Sequence, residues 1–230
     1  MQIIGHRGSA GTAPENTLLS FEKAITAGVN MIELDVHRCQ SGELIVLHDE
    51  KINRTTNGKG AVNRKTLEQL EQFDAGQGEK IPTLREVLNL VNRRVKINIE
   101  LKGAATAIPV VQLLEEYKNR FGWQTGDFCI SSFDHRQLLQ FRQLDPLTPI
   151  GILYEGYPKG FVSMAQKLQA ASINIPLRKA TRKTIDIIHA HQLEVWVYTV
   201  NRPEDFLRLK QLGADAVFTN FPEKMLRLNT

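Results

Sequence analysis

The chain has 230 residues, 42% of them hydrophobic and 23% charged, with a formal net charge of +4. This composition excludes disorder along most of the chain, and no apolar run reaches the roughly 20 residues needed to span a bilayer. The basic excess lies in short clusters, Arg93-Arg94-Val95-Lys96, Arg178-Lys179 and Arg182-Lys183, without the concentrated charge and stacking aromatics of a nucleic-acid face, so nucleic acid is not an expected partner.

Met1 and Gln2 lead straight into Ile3-Ile4-Gly5, with no basic segment and apolar core of a signal peptide. Gln2-Ile3-Ile4-Gly5 is expected to be a strand that runs into His6-Arg7-Gly8. After a Gly/Ala/Thr/Pro loop, Asn16 is expected to cap a helix that ends at Gly28. A strand over 30–37 carries Glu33 and Asp35, and a Ser41-Gly42 turn leads to an accessory strand over 44–47 that closes in His48-Asp49. Residues 50–80 are loop-rich, with a short helix near 67–72, and read as an insertion able to cover a site as a lid.

From Pro82 the alternation is regular. Helices over 83–92, 105–120, 134–143, 160–169, 181–191 and 203–212 alternate with strands over 95–101, 127–131, 149–154, 172–175, 194–199 and 214–219. With the first two strands, and the accessory strand set aside, this gives eight strands with intervening helices. Repeated βα units favour a parallel sheet, and eight of them a closed (β/α)8 TIM barrel with a small helical insertion after the second strand. No Gly-rich nucleotide loop follows any strand, and no linker divides residues 1–230, so a single domain is expected. Cys39 and Cys129 are expected to be free, buried thiols, consistent with a reducing, cytoplasmic location.

In such a barrel the chemistry sits at the carboxyl ends of the strands. Strand one ends in His6-Arg7, strand two carries Glu33-x-Asp35, the accessory strand ends in His48, and the next strand reads Asn98-x-Glu100-x-Lys102. Glu33 and Asp35 leave one face of their strand, with α-carbons roughly 6.6 Å apart, and two acids that close repel unless a cation lies between them. Glu33, Asp35 and Glu100 are therefore candidate ligands of one hard divalent cation, Mg²⁺ or Ca²⁺. Arg7 and Lys102 suit a phosphoryl group, and His6 and His48 can exchange protons near neutrality. A metal clamp, two cations and two histidines describe phosphodiester cleavage better than glycoside hydrolysis, for which a carboxylate pair suffices. His37, at the strand's end, is expected to be a surface histidine, and His135, His189 and His191 to be solvated. Glu15 and Asn16 are candidates to brace the first loop.

At these positions the chain resembles the glycerophosphodiester phosphodiesterase family. The resemblance runs through His6-Arg7-Gly8, Pro14-Glu15-Asn16-Thr17, Glu33-x-Asp35-Val36, Val46-Leu47-His48-Asp49, Asn57-Gly58-Lys59-Gly60, Phe73-Asp74-Ala75-Gly76, Ile81-Pro82-Thr83-Leu84, Ile99-Glu100-Leu101-Lys102, Ser131-Ser132-Phe133 and Thr199-Val200-Asn201. It implies a barrel of the phospholipase C-like phosphodiesterase type, a divalent metal at Glu33, Asp35 and Glu100, and His6 and His48 as acid–base catalysts. It further implies phosphate contacts from Arg7 and Lys102. Tyr198, with a substrate contact, stands where Trp is frequent in the family, and Asn220 stands where Asp is common. The implied reaction is hydrolysis of a small glycerophosphodiester to glycerol 3-phosphate and an alcohol, by way of a cyclic phosphate. No stable membrane association is expected, and a homodimer is left open.

Overall fold

The computed structural model describes residues 1–229. β1 (Gln2–Gly5) is followed by α1 (Leu18–Ala27), β2 (Met31–Arg38), the short β3 (Leu44–Val46) and, in the insertion, α2 (Leu67–Leu70). Then come α3 (Leu84–Val91), β4 (Lys96–Leu101), α4 (Ala107–Phe121), β5 (Phe128–Ser132), α5 (His135–Leu144) and β6 (Ile150–Leu153). The chain continues through α6 (Phe161–Leu168), β7 (Ser172–Pro176), α7 (Arg182–His189), β8 (Glu194–Tyr198), α8 (Pro203–Leu212), β9 (Ala216–Thr219) and α9 (Pro222–Leu226).

Eight strands pair in parallel in the order β1-β9-β8-β7-β6-β5-β4-β2, and β1 also pairs with β2, which closes the ring. β3 lies outside it, antiparallel to β2. This is the (β/α)8 barrel expected from the sequence, with the helices packed around the strands. Each strand is buried on both faces, which is why β2 is closed to solvent from Met31 to His37. Its outward residues Ile32, Leu34 and Val36 join Phe21, Leu88 and Val110 in the layer under the helices. Full burial of side chains of this size stabilises by about 1.5–3 kcal/mol each. The inward layer is apolar near the strand starts, where Ile4, Met31, Cys129, Trp196 and Ala216 plug the barrel. Toward the strand ends it turns polar with Glu33, Asp35, Asn98, Glu100 and Ser131, all buried.

The helix boundaries follow from local chemistry. Thr17, not Asn16, caps α1: its side chain accepts from Ser20 N, and Gly28 at φ 92° ends the helix. α3 opens with a reciprocal capping box between Thr83 and Glu86. Ile52, Val62 and Leu70 of the insertion share a small core with Ile45, Leu47 and Ile81, so the insertion is packed against the segment of β3. Its helix stops at Leu70, two residues short of the expected end. Cys39 and Cys129 are free and buried, and burial pushes the Cys129 thiol up to about 12.

Candidate active site

Parallel pairing of β2 with β4 sets Glu33 opposite Asn98 and Asp35 opposite Glu100. Because both strands send alternate residues inward, this register brings three carboxylates into one place without any loop. Ligand atoms of Glu33, Asp35 and Glu100 all lie within 4.8 Å of one another. The three residues are 3%, 1% and 8% exposed, so their mutual repulsion is poorly screened by water. Burial, then the charges of Asp35 and Glu100, push the Glu33 carboxyl well above the usual carboxylate range. Burial and Asp35 raise Glu100 to about 7. Asp35 Oδ1 is buried without a hydrogen-bond donor, although Lys102 Nζ stands 3.9 Å away. Three close oxygen donors, two of them with carboxyls raised by burial and mutual repulsion, fit a hard divalent cation.

The loop after β1 presents His6 and Arg7. Arg7 takes φ 52°, and Gly8 takes φ 81° so closely against Ser20 that a β-carbon there would lie 2.5 Å from Oγ. That turn aims the Arg7 amide at Glu33 Oε2, 2.8 Å away, and its Nη1 at Glu15 Oε1, 2.7 Å away. Arg7 Nε lies 3.4 Å from Asp35 Oδ2. Asn16 completes the support, its Nδ2 donating to Asp35 Oδ2 at 3.0 Å. Glu15 and Asn16 therefore brace the loop and the acid cluster.

The two imidazoles stand in different surroundings. His6 Nδ1 pairs at 2.6 Å with Asn220 Oδ1, and since an amide oxygen only accepts, Nδ1 carries the proton and Nε2 is left bare. Burial, reinforced by the neighbouring Arg7, lowers His6 to about 4. His48 Nδ1 pairs at 2.7 Å with Asp49 Oδ1. Arg54, from the insertion, grips Asp49 in turn, with Nε 2.8 Å from Oδ2 and Nη2 3.0 Å from Oδ1.

The cavity at this end of the barrel, about 440 Å³, is lined by His6, Arg7, Glu33, His48, Glu100 and Lys102 together with Tyr198. Asp35 lies beneath this lining, paired with Asn16 and Arg7. Lys102 Nζ is 3.0 Å from Glu100 Oε1 and 5.5 Å from the centroid of the Phe133 ring. Tyr198 turns its hydroxyl away, donating to the Tyr154 carbonyl at 2.5 Å, and offers its ring, which meets Phe133 edge-on at 5.9 Å. Asn98 and Ser131 also line the cavity, and Asn98 Oδ1 and Ser131 Oγ are buried without protein partners.

Several expectations are corrected. His37 is 5% exposed rather than on the surface, because β2 continues to Arg38 and the ring donates from Nε2 to the His48 carbonyl at 3.0 Å. It thus holds the backbone beneath a candidate catalytic ring. His135 is half-buried against Leu153 O and Tyr154 rather than fully solvated, whereas His189, paired with Asp215, and His191 are exposed as expected. Asn220 and Arg54 were not singled out as site residues by sequence reasoning. Asn220 was legible in principle, since the last strand of a closed barrel must end beside the first.

Similarity to known proteins agrees with this geometry. The family described as the glycerophosphoryl diester phosphodiesterase family matches residues 6–224. A glycerophosphodiester phosphodiesterase of Bacillus altitudinis is 35% identical over 240 residues, covering 99% of this chain and 97% of its own. One from Caldanaerobacter subterraneus subsp. tengcongensis is 33% identical over 242 residues, covering 98% and 96%. Among solved structures, an Oleispira antarctica phosphodiesterase in complex with the product sn-glycerol-3-phosphate superposes with a TM-score of 0.93 at 29% identity, covering 100% of this chain and 97% of that one. The match in fold, extent and sequence is continuous with the site: this chain belongs to the glycerophosphoryl diester phosphodiesterase family.

Proposed function

We propose that the chain hydrolyses small glycerophosphodiesters to glycerol 3-phosphate and an alcohol, with one divalent cation, Mg²⁺ or Ca²⁺, and with His6 and His48 as its acid–base pair. The observation that carries this reading is the juxtaposition of three buried carboxylates with two oriented imidazoles around a single cavity. The Oleispira antarctica relative, which holds sn-glycerol-3-phosphate, supports the choice of product.

Glu33, Asp35 and Glu100 would hold the cation, which when bound screens phosphoryl charge and lowers the pKa of a coordinated hydroxyl. Lys102 supplies a point charge at the cavity wall, and Arg7, whose Nη1 is fixed by Glu15, also lines the cavity. His6, neutral and with Nε2 bare, suits the role of base, taking the proton of the glycerol 2-hydroxyl as that oxygen attacks phosphorus. His48 suits the role of acid, because the Asp49 carboxylate can balance an imidazolium charge, which the Asn220 amide cannot. The P–O bond to the alcohol breaks as His48 gives its proton to the leaving oxygen. A cyclic 1,2-phosphate results, and water opens it with the two rings in exchanged roles. Tyr198 and Phe133 flank the cavity where the substrate enters.

A coupled assay for glycerol 3-phosphate tests this. Release from glycerophosphocholine, glycerophosphoethanolamine and bis-glycerophosphate is expected, with none from phosphatidylcholine vesicles. No helix of the described residues is long and apolar enough to cross a membrane, and the reading commits to short-chain diesters. Activity on vesicles alone would replace it with a phospholipase. A 2-deoxyglycerol analogue is expected to resist cleavage; cleavage at an undiminished rate would remove the cyclic route.

A further inference from the structure

Arg54 lies at the barrel mouth but is not among the residues that line the cavity. Its guanidinium engages two carboxylates at once. Nε and Nη2 donate to Asp49 Oδ2 and Oδ1 at 2.8 and 3.0 Å, and Nη1 and Nη2 donate to Glu15 Oε2 and Oε1, both at 2.8 Å. Each of those acids is also bound to a residue of the candidate active site. Asp49 Oδ1 holds His48 Nδ1 at 2.7 Å, and Glu15 Oε1 holds Arg7 Nη1 at 2.7 Å. A continuous line of charge-assisted contacts therefore runs His48–Asp49–Arg54–Glu15–Arg7, and Arg7 directly follows His6. Glu15 belongs to the loop after β1, and Asp49 to the segment after β3. Arg54 comes from the insertion and joins the two.

We infer that Arg54 is a positioning residue that sets the separation of the two imidazoles by clamping the loop after β1 to the segment after β3. This rests on reading His6 and His48 as the acid–base pair. The role needs arginine: its planar fork carries five donors in fixed directions and can meet two carboxylates bidentately, whereas a lysine ammonium is a point charge on a flexible stem. At 48% side-chain exposure, the ion pairs themselves contribute little to fold stability. Geometry is another matter, since misplacing a catalytic group by about 1 Å can lower a rate by about 10²-fold. The pull on the acids is visible in their ionisation. Against the opposing effect of burial, hydrogen bonds from Arg54 and the charge of Arg7 lower Glu15 to about 2, and Arg54 holds Asp49 well below the usual carboxylate range.

The test compares Arg54→Lys and Arg54→Ala with the wild-type enzyme loaded with Mg²⁺. For both variants kcat on glycerophosphocholine is expected to fall about 10-fold or more, with KM within about 3-fold. Added guanidinium ion at millimolar concentration is expected to recover part of the kcat of Arg54→Ala and to leave the wild type unchanged. A second readout is independent of turnover. In ¹⁵N-histidine spectra the His48 Nδ1–H signal should shift or broaden in Arg54→Ala, while that of His6, held by Asn220, stays in place. If the wild type released no glycerol 3-phosphate, the hydrolase reading would fail while this spectrum still tested the clamp. Wild-type kcat in folded Arg54→Lys and Arg54→Ala, or a His48 signal indifferent to the substitution, would overturn it. So would unfolding of both variants, which would make Arg54 a residue that holds the fold.

Discussion

Replacing either imidazole, in His6→Ala or His48→Ala, is expected to lower kcat by about 10²–10⁴-fold, the range of positioned acid–base groups, with a much smaller change in KM. The two variants should differ in stability. His6 is bonded to Asn220, so removing it takes away the hydrogen-bond partner of Asn220 Oδ1, a net loss of about 0.5–1.5 kcal/mol. The His48 side chain is 28% exposed and its partner Asp49 remains bound to Arg54, so His48→Ala should melt close to wild type. Because both rings act in one proton-transfer sequence, the double variant should be little slower than the worse single one. Near-normal turnover in a folded variant would return that histidine to a structural role. Steady-state kinetics with a melting curve on each protein distinguishes these outcomes.

Removal of divalent cations is expected to abolish activity, and the stability of the metal-free protein carries a pH signature of the same site. Burial and mutual repulsion raise Glu33 and Glu100 above the carboxylate range, Glu100 to about 7. A raised folded-state pKa means that the folded protein holds these protons longer than the unfolded chain, whose glutamates titrate near 4.5. The Glu100 contribution to stability is therefore fully present below about 4.5 and is lost as pH rises through about 7, and that of Glu33 has the same direction. A cation binds the ionised carboxylates and so gains most where the protons are already gone. Added Mg²⁺ or Ca²⁺ should raise the melting temperature more at pH 8 than at pH 5. At a hundredfold excess over Kd the stabilisation is about 2.7 kcal/mol. For a chain of this length that is about 5–10 °C. Glu100→Gln should shrink the cation effect while leaving the metal-free protein at pH 8 no less stable, because it removes one of three repelling charges. A cation shift of equal size at both pH values would place the binding elsewhere.

The barrel was legible because its signal is repeated: eight strands with intervening helices, each strand apolar on the face turned to the helices. The acid cluster was legible in part. Glu33 and Asp35 share a face by parity alone, but the register that puts Asp35 opposite Glu100 is a property of two strands and is written in neither. His37 shows what local reading misses. Its burial depends on Gly103, where even a β-carbon would come within 2.8 Å of the His37 ring, and that neighbour is brought in by the end of β4. Asn16 and Thr17 are adjacent residues with similar capping chemistry, and only the backbone decides that Thr17 caps while Asn16, at φ 59°, turns inward to Asp35. Asn220 meets His6 across 214 residues because the barrel closes, and Arg54 meets Glu15 across 39 because the insertion folds back. Neither contact has a periodicity to announce it.

The most direct measurement is the anomalous scattering of Ca²⁺ in a crystal of the protein grown with the ion and glycerol 3-phosphate. The expected result is a peak with oxygens of Glu33, Asp35 and Glu100 at about 2.3–2.6 Å, and with the rings of His6 and His48 on either side of the phosphoryl group. A calcium ion bound away from these acids, or Glu100 turned outward with the two imidazoles at separate sites, would contradict the assignment.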